Sequence, residues 1–189
     1  MTMSRLGLNL PNLISLGRLL LVPLAISLIL DGNYWGALWV FVIAGVSDAV
    51  DGFIARRFDR RTPLGALLDP LADKVLLVSA YVALGIAGQL WTWLVVLVVF
   101  RDIMIVGGFL LIQVIAPVPK PVKPMLVSKV NTGVQVALVW YVLARRGLGA
   151  DAGLLDVVLG IAAAVTTLIS GLSYLVRWAR ILGGSEQVL

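Results

Sequence analysis

The chain of 189 residues has no cysteine and no histidine. Without cysteine there are no disulfides and no thiolate metal sites, and the redox compartment is left open. Without either residue, any metal site must be built from oxygen, which suits Mg²⁺, Mn²⁺ or Ca²⁺ far better than zinc. Charge is scarce as well. Only 13% of residues are charged while 60% are hydrophobic, and the mean hydropathy is +1.03. That balance lies outside ordinary soluble domains and predicts an all-α integral membrane protein forming a single domain, residues 1–189. Internal repeats and low-complexity segments are also lacking. The net charge of +5 comes from basic residues grouped at segment ends rather than along a soluble face, so nucleic acid is not an expected partner.

A membrane-spanning helix needs about 20 mostly apolar residues, and six such segments are predicted, at approximately 12–30, 34–57, 66–87, 91–115, 126–144 and 154–178. Residues 1–11 are weakly amphipathic, end at the helix-start signal Pro11-Asn12, and are expected to lie along the membrane surface. A cleavable signal peptide fits them poorly, because Arg18 interrupts the apolar run and no small-residue cleavage pattern follows. Residues 12–180 are expected to form the bundle, and 181–189 a loosely held tail.

Basic residues orient the chain. One side would carry Arg5, Arg18, Arg56, Arg57, Arg60, Arg61, Lys120, Lys123, Lys129, Arg177 and Arg180; the other only Arg145 and Arg146. The positive-inside rule then puts both termini on the cytoplasmic side, with a bacterial inner membrane as the expected location. The basic rim would also attract anionic membrane lipids. Trp35, Trp39, Trp91, Trp93, Trp140 and Trp178 fall near segment ends and read as an interfacial aromatic belt. Small residues such as Ala44, Gly45, Gly107, Gly108, Gly160 and Ala162 to Ala164 read as points of close helix contact.

Against this apolar background one stretch is anomalous. Between Ser47 and Lys74 the chain reads SDAVDGFIARRFDRRTPLGALLDPLADK, with Asp48 and Asp51 at the end of one segment and Asp69 and Asp73 at the start of the next. Residues three or four apart share a helical face, so these are two pairs, and antiparallel neighbouring helices would bring four carboxylates together. A carboxylate inside a spanning helix costs on the order of 3 kcal/mol, so four need cations, water or basic partners. A site for two divalent ions is the natural inference. Gly52 and Ala55 leave room for a ligand to approach the backbone, the arginines supply positive charge at the rim, and Gly65 is expected in the turn before the second pair. An anionic phosphate suits such a site.

The pattern Asp48-x2-Asp51-Gly52-x2-Ala55-Arg56-x8-Gly65-x3-Asp69-x3-Asp73 resembles the full signature of the CDP-alcohol phosphotransferases. The resemblance implies Asp48, Asp51 and Asp69 as principal ligands of two Mg²⁺ or Mn²⁺ ions, with Asp73 bordering the metals and acting as the catalytic base. It implies further that Gly52, Ala55, Arg56 and Gly65 contact the CDP portion of CDP-diacylglycerol, that an alcohol attacks the lipid-linked phosphorus with CMP leaving, and that the protein is a six-helix homodimer.

Two later polar groups stand out: Arg101-Asp102 inside the fourth segment, and Ser128-Lys129-Val130-Asn131-Thr132 opening the fifth, which is expected to face the bundle interior. Either is a salt-bridged or hydrogen-bonded packing feature, or a holder of the acceptor's anionic group. In the second case Arg101 and Lys129 are the candidates for its phosphate. Together with Asn9 to Asn12, Arg18, Asp69 to Lys74 and Gln135, these residues resemble most the cardiolipin-forming members of the family, whose acceptor is phosphatidylglycerol. Members that make phosphatidylglycerophosphate from glycerol 3-phosphate share the plan and are the alternative. From a different class, a divalent-cation transporter would also tolerate intramembrane aspartates. Against it stand the cluster's position near one membrane face and the lack of an acidic series toward the other.

Overall fold

A computed structural model describes residues 10–57, 63–115 and 126–182. It consists there of six helices and no strand: α1 (Leu10–Leu30), α2 (Tyr34–Arg57), α3 (Pro63–Ile86), α4 (Thr92–Ile115), α5 (Leu126–Gly147) and α6 (Leu154–Leu182). Each predicted segment corresponds to one helix, within a few residues at either end. Two differences follow from proline. α1 already includes Pro11, and α3 begins at Pro63, so Gly65 lies in the first turn of a helix rather than in a loop. Proline lacks the N–H that the first helical turn leaves unsatisfied and presets its φ angle, which makes it a good first residue. The predicted surface segment and the tail beyond Leu182 lie outside the described residues, α1's first turn excepted.

Three of the connections are made alike. α1, α3 and α5 each end on a glycine of positive φ, Gly32, Gly88 and Gly149. After α1, Asn33 N–H donates to the Leu28 carbonyl and Gly32 N–H to that of Ile29; Gln89 and Gly88 repeat this on Leu84 and Gly85, and Ala150 and Gly149 on Arg145 and Arg146. The last carbonyls of each helix are thereby satisfied by the turn itself, which only glycine enters without steric cost. Asn33 then caps α2, its Oδ1 accepting from Gly36 N–H at 3.0 Å.

The chain divides into two compact units, one of residues 1–89 and 139–151, the other of 90–138 and 152–189. In the first, α1 packs along both α2 and α3. Its buried positions Arg18, Val22, Ala25 and Ile29 recur every three or four residues and form one helical face. Ala37, Phe41 and Ala44 of α2 and Ala80, Tyr81 and Leu84 of α3 are buried as well. In the second unit α4 packs on α6. Its interior combines Leu94 and Val98 with Ala163 and a series of buried polar side chains.

Tryptophan does more than edge the helices. In the first unit Trp35 covers Gly147, where a Cβ would come within 2.7 Å of its ring; in the second Trp91 covers Gly160 at 2.6 Å and Trp178 covers Gly108 at 2.1 Å. These glycines are sockets for indoles. The two arginines of the sparsely charged side are also committed locally. Arg145 is buried and its Nη1 donates to the Ala150 carbonyl at 2.8 Å, closing the end of α5, while Arg146 lies 5.4 Å from the centre of the Tyr34 ring.

Candidate functional site

The signature falls on two helices of the first unit. Asp48, Asp51, Gly52, Ala55 and Arg56 lie in the C-terminal half of α2, and Gly65, Asp69 and Asp73 in the N-terminal half of α3. Five residues connect the two helices. Asp51 and Asp69 each lie six residues from that connection, while Asp48 lies nine and Asp73 ten residues from it. At about 1.5 Å of rise per residue, Asp51 and Asp69 each lie roughly 9 Å, and Asp48 and Asp73 roughly 14–15 Å, along their own helix from that connection. The side chains of residues 48–73, and therefore every predicted metal ligand, the predicted base Asp73 and the predicted CDP contacts, lie outside the described residues. The donor set itself fits hard divalent cations, being four carboxylates without a sulfur or imidazole alternative. Among the described residues no other group of acidic side chains could hold a metal ion.

The acceptor candidates belong to the second unit, and the structure separates them. Arg101 of α4 is 3% exposed, whereas Lys129 of α5 is exposed. The Arg101 guanidinium donates from Nη1 to Asp102 Oδ1 at 2.6 Å, and from Nη2 to Ser128 Oγ at 2.7 Å and to Ser170 Oγ. Its charge is balanced by the neighbouring carboxylate, and its position is fixed from two further helices. Such charge-assisted bonds are short and directional. Nε is buried and has no hydrogen-bond partner among the described residues.

The polar run opening α5 does not turn inward as a block. Ser128, Asn131 and Gln135 face the interior, while Lys129, Val130 and Thr132 are exposed. The helical period decides this, since positions three and four apart share a face and adjacent ones do not. Asn131 Oδ1 accepts from Thr166 and Thr167, both at 2.9 Å, and Gln135 Nε2 donates to Thr167 Oγ1 at 3.1 Å. Asn131 Nδ2 remains buried without a partner among the described residues.

Sequence reading missed Thr166, Thr167 and Ser170. Hydroxyl residues in an apolar helix commonly bond back to their own helix, as Thr166 also does to the Ala162 carbonyl at 2.8 Å. The available signal was their spacing, which puts them on the face of α6 that carries the buried Ala163. Arg18 was counted with the rim charges, yet its side chain is 2% exposed within the first unit.

Comparison with known proteins agrees with the signature. The model of the CDP-alcohol phosphatidyltransferase family matches residues 8–176. A cardiolipin synthase (CMP-forming) of Rattus norvegicus is 35% identical over 181 residues, covering 88% of this chain and 60% of that protein. The Homo sapiens protein of the same name is 34% identical with the same coverage. A probable phosphatidylglycerophosphate synthase of Mycobacterium tuberculosis is 34% identical over 187 residues, 95% of this chain and 86% of that protein. The chain thus spans about 60% of the length of the rat and human relatives. Because the family match reaches from before α1 into α6 and takes in the whole aspartate signature, the chain belongs to the CDP-alcohol phosphatidyltransferase family.

Proposed function

We propose that the protein transfers a phosphatidyl group from CDP-diacylglycerol to a hydroxyl of phosphatidylglycerol, giving cardiolipin and CMP. The observation that carries the transfer chemistry is the complete aspartate signature, divided between the adjoining ends of α2 and α3 in a chain of this family, and the choice of phosphatidylglycerol is supported by the cardiolipin synthase relatives. Asp48, Asp51, Asp69 and Asp73 would hold two Mg²⁺ or Mn²⁺ ions. When bound, such ions neutralise charge on the pyrophosphate and on the departing phosphate. Gly52, Ala55, Arg56 and Gly65 bind the CDP portion. Asp73 accepts the proton of the acceptor hydroxyl as its oxygen bonds to the lipid-linked phosphorus and the bridging bond to CMP breaks. Arg101 binds the acceptor's phosphate, and Lys129, on the exposed side of α5, contributes only as a rim charge.

The proposed substrates and the apolar helices support a place in the membrane. α5 and α6 are each long and apolar enough to cross a membrane by length and composition. α6 exposes Val158, Ile161, Val165, Leu168, Leu172 and Val176, an apolar face that lipid would cover. We place all six helices across the membrane, with the aspartates and both termini cytoplasmic, in a homodimer. A diacyl donor then keeps its chains in lipid while its nucleotide reaches the cytoplasmic mouth.

A second reading has its own support, since the Mycobacterium tuberculosis relative, over more of its own length, is named a probable phosphatidylglycerophosphate synthase. In that reading glycerol 3-phosphate replaces phosphatidylglycerol and the chemistry is otherwise the same. The deciding experiment incubates the purified protein with Mg²⁺ or Mn²⁺ and labelled CDP-diacylglycerol, with each acceptor in parallel. Cardiolipin with CMP release is expected. Phosphatidylglycerophosphate would move the assignment to the second reading, and no CMP from either acceptor would overturn both.

A further inference from the structure

We infer that Ser170 and Ser128 are positioning residues for Arg101, holding its guanidinium so that the Nε edge is left for a phosphate oxygen of the acceptor. The inference rests on the reading of Arg101 as an acceptor-binding residue and adds the two hydroxyls that nothing in the signature assigns. Arginine has five N–H donors and no acceptor, in a rigid planar fork. Both hydrogens of Nη2 are used, one on the α5 hydroxyl and one on the α6 hydroxyl, and Nη1 is turned toward Asp102. With three of the five N–H groups engaged, the plane of the fork is fixed, and Nε–H and the second Nη1–H remain, Nε being the nitrogen with no bond among the described residues.

Ser170 is fully buried, and the next residue is Gly171, whose missing Cβ would lie 3.7 Å from Arg101 Cγ and 3.4 Å from Met104 Cε. At those distances a Cβ would make ordinary contact, so what α6 contributes to the arginine is the Ser170 hydroxyl. A buried N–H on a charged group without a partner is costly, so Nε is a place where a ligand oxygen or a water would bond. The charge balance with Asp102 favours a ligand bound by direction as much as by net charge. A phosphate oxygen, whether of a lipid phosphodiester or of a soluble phosphomonoester, has the acceptor geometry that the fork selects.

The test compares wild type, Ser170→Ala, Arg101→Lys and the double variant as full-length protein in detergent. Acceptor KM and kcat are measured with phosphatidylglycerol and with glycerol 3-phosphate, along with KM for CDP-diacylglycerol. Ser170→Ala is expected to raise acceptor KM about ten- to a hundredfold, as loss of one hydrogen bond to a charged group does, with KM for CDP-diacylglycerol unchanged. In the Arg101→Lys background the same substitution should add nothing, because its route is gone; Ser128→Thr, which keeps a hydroxyl, should stay near wild type. The acceptor with the larger KM change identifies the source of the phosphate. Independently of turnover, the rise in melting temperature on adding dihexanoyl-phosphatidylglycerol or glycerol 3-phosphate should shrink in Ser170→Ala. An equal loss of stability with the ligand-induced rise intact would make Ser170 a packing hydroxyl and overturn the inference. So would additive effects in the double variant, or a wild type whose melting temperature responds to neither phosphate. Failure of the proposed function reads differently: no CMP from either acceptor while the phosphate-induced rise still depends on Ser170.

Discussion

The chain concentrates polar groups in two places and builds them in opposite ways. On α2 and α3 of the first unit, eight signature residues lie within 26 positions of sequence, their spacing set by the helical turn alone. In the second unit Arg101, Ser128, Asn131, Thr167 and Ser170 come from three helices, and Arg101 and Ser170 are 69 residues apart. The first is acidic and calls for cations. The second is a balanced ion pair surrounded by neutral hydroxyls and amides. The first arrangement is a local motif of the sequence, whereas the second exists only through packing.

The largest expected effect lies in the first region. Asp73→Asn should lower turnover by about 10²–10⁴-fold, the usual contribution of a general base, while Mn²⁺ and CDP-diacylglycerol still bind. Asp48→Ala and Asp51→Ala should instead lose metal binding, and with it turnover. CMP release measured beside Mn²⁺ binding separates the two outcomes. An Asp73→Asn variant with near-normal rate would remove Asp73 from the base role.

In the second region, removing one partner should damage the fold before it damages a reaction. Arg101→Ala removes the cation bonded to the buried Asp102 carboxylate, and breaking such a buried pair costs about 3–5 kcal/mol. The paired change Arg101→Met with Asp102→Leu should recover most of that loss, because replacing a whole buried ion pair by apolar side chains is often neutral. Ser128 and Ser170 can then bond back to their own helices. Acceptor use should stay lost although the melting temperature returns. A double variant that kept wild-type acceptor KM would show that the pair is structural, and the contrast between the regions would shrink to one of stability.

The same contrast explains what could be read from sequence. Six helices were legible because each apolar run is long and is bounded by a turn residue such as Gly32, Gly88 or Gly149 that serves it directly. The aspartate signature was legible as spacing. The seam was only half legible: Arg101-Asp102 announced itself as charge in an apolar helix, but Ser170 and Thr167 carry no mark until α6 is packed beside α4 and α5. Lys129 and Asn131 looked like one polar run, and the helical period divides them. Arg18 resembled a rim charge because nothing local shows that it continues the buried face of Val22 and Ala25.

Glycine substitutions sharpen the comparison at its smallest scale, since they probe packing without touching charge. Gly108→Ala and Gly160→Ala would drive a methyl group into the rings of Trp178 and Trp91, at 2.1 Å and 2.6 Å. Each should cost about 1–3 kcal/mol as overpacking, less where the indole can swing outward. Gly147→Ala, facing Trp35 at 2.7 Å in the first unit, should behave alike, showing that the indole sockets are common to both regions. Gly133 lies on the exposed side of α5 with nothing within 4 Å of its absent Cβ. Gly133→Ala should therefore raise stability by about 0.5–1 kcal/mol through helix propensity alone. Thermal melts of the four variants in one detergent test this. If Gly133→Ala were as damaging as Gly108→Ala, that face of α5 would be covered by another protein surface, which a homodimer would supply.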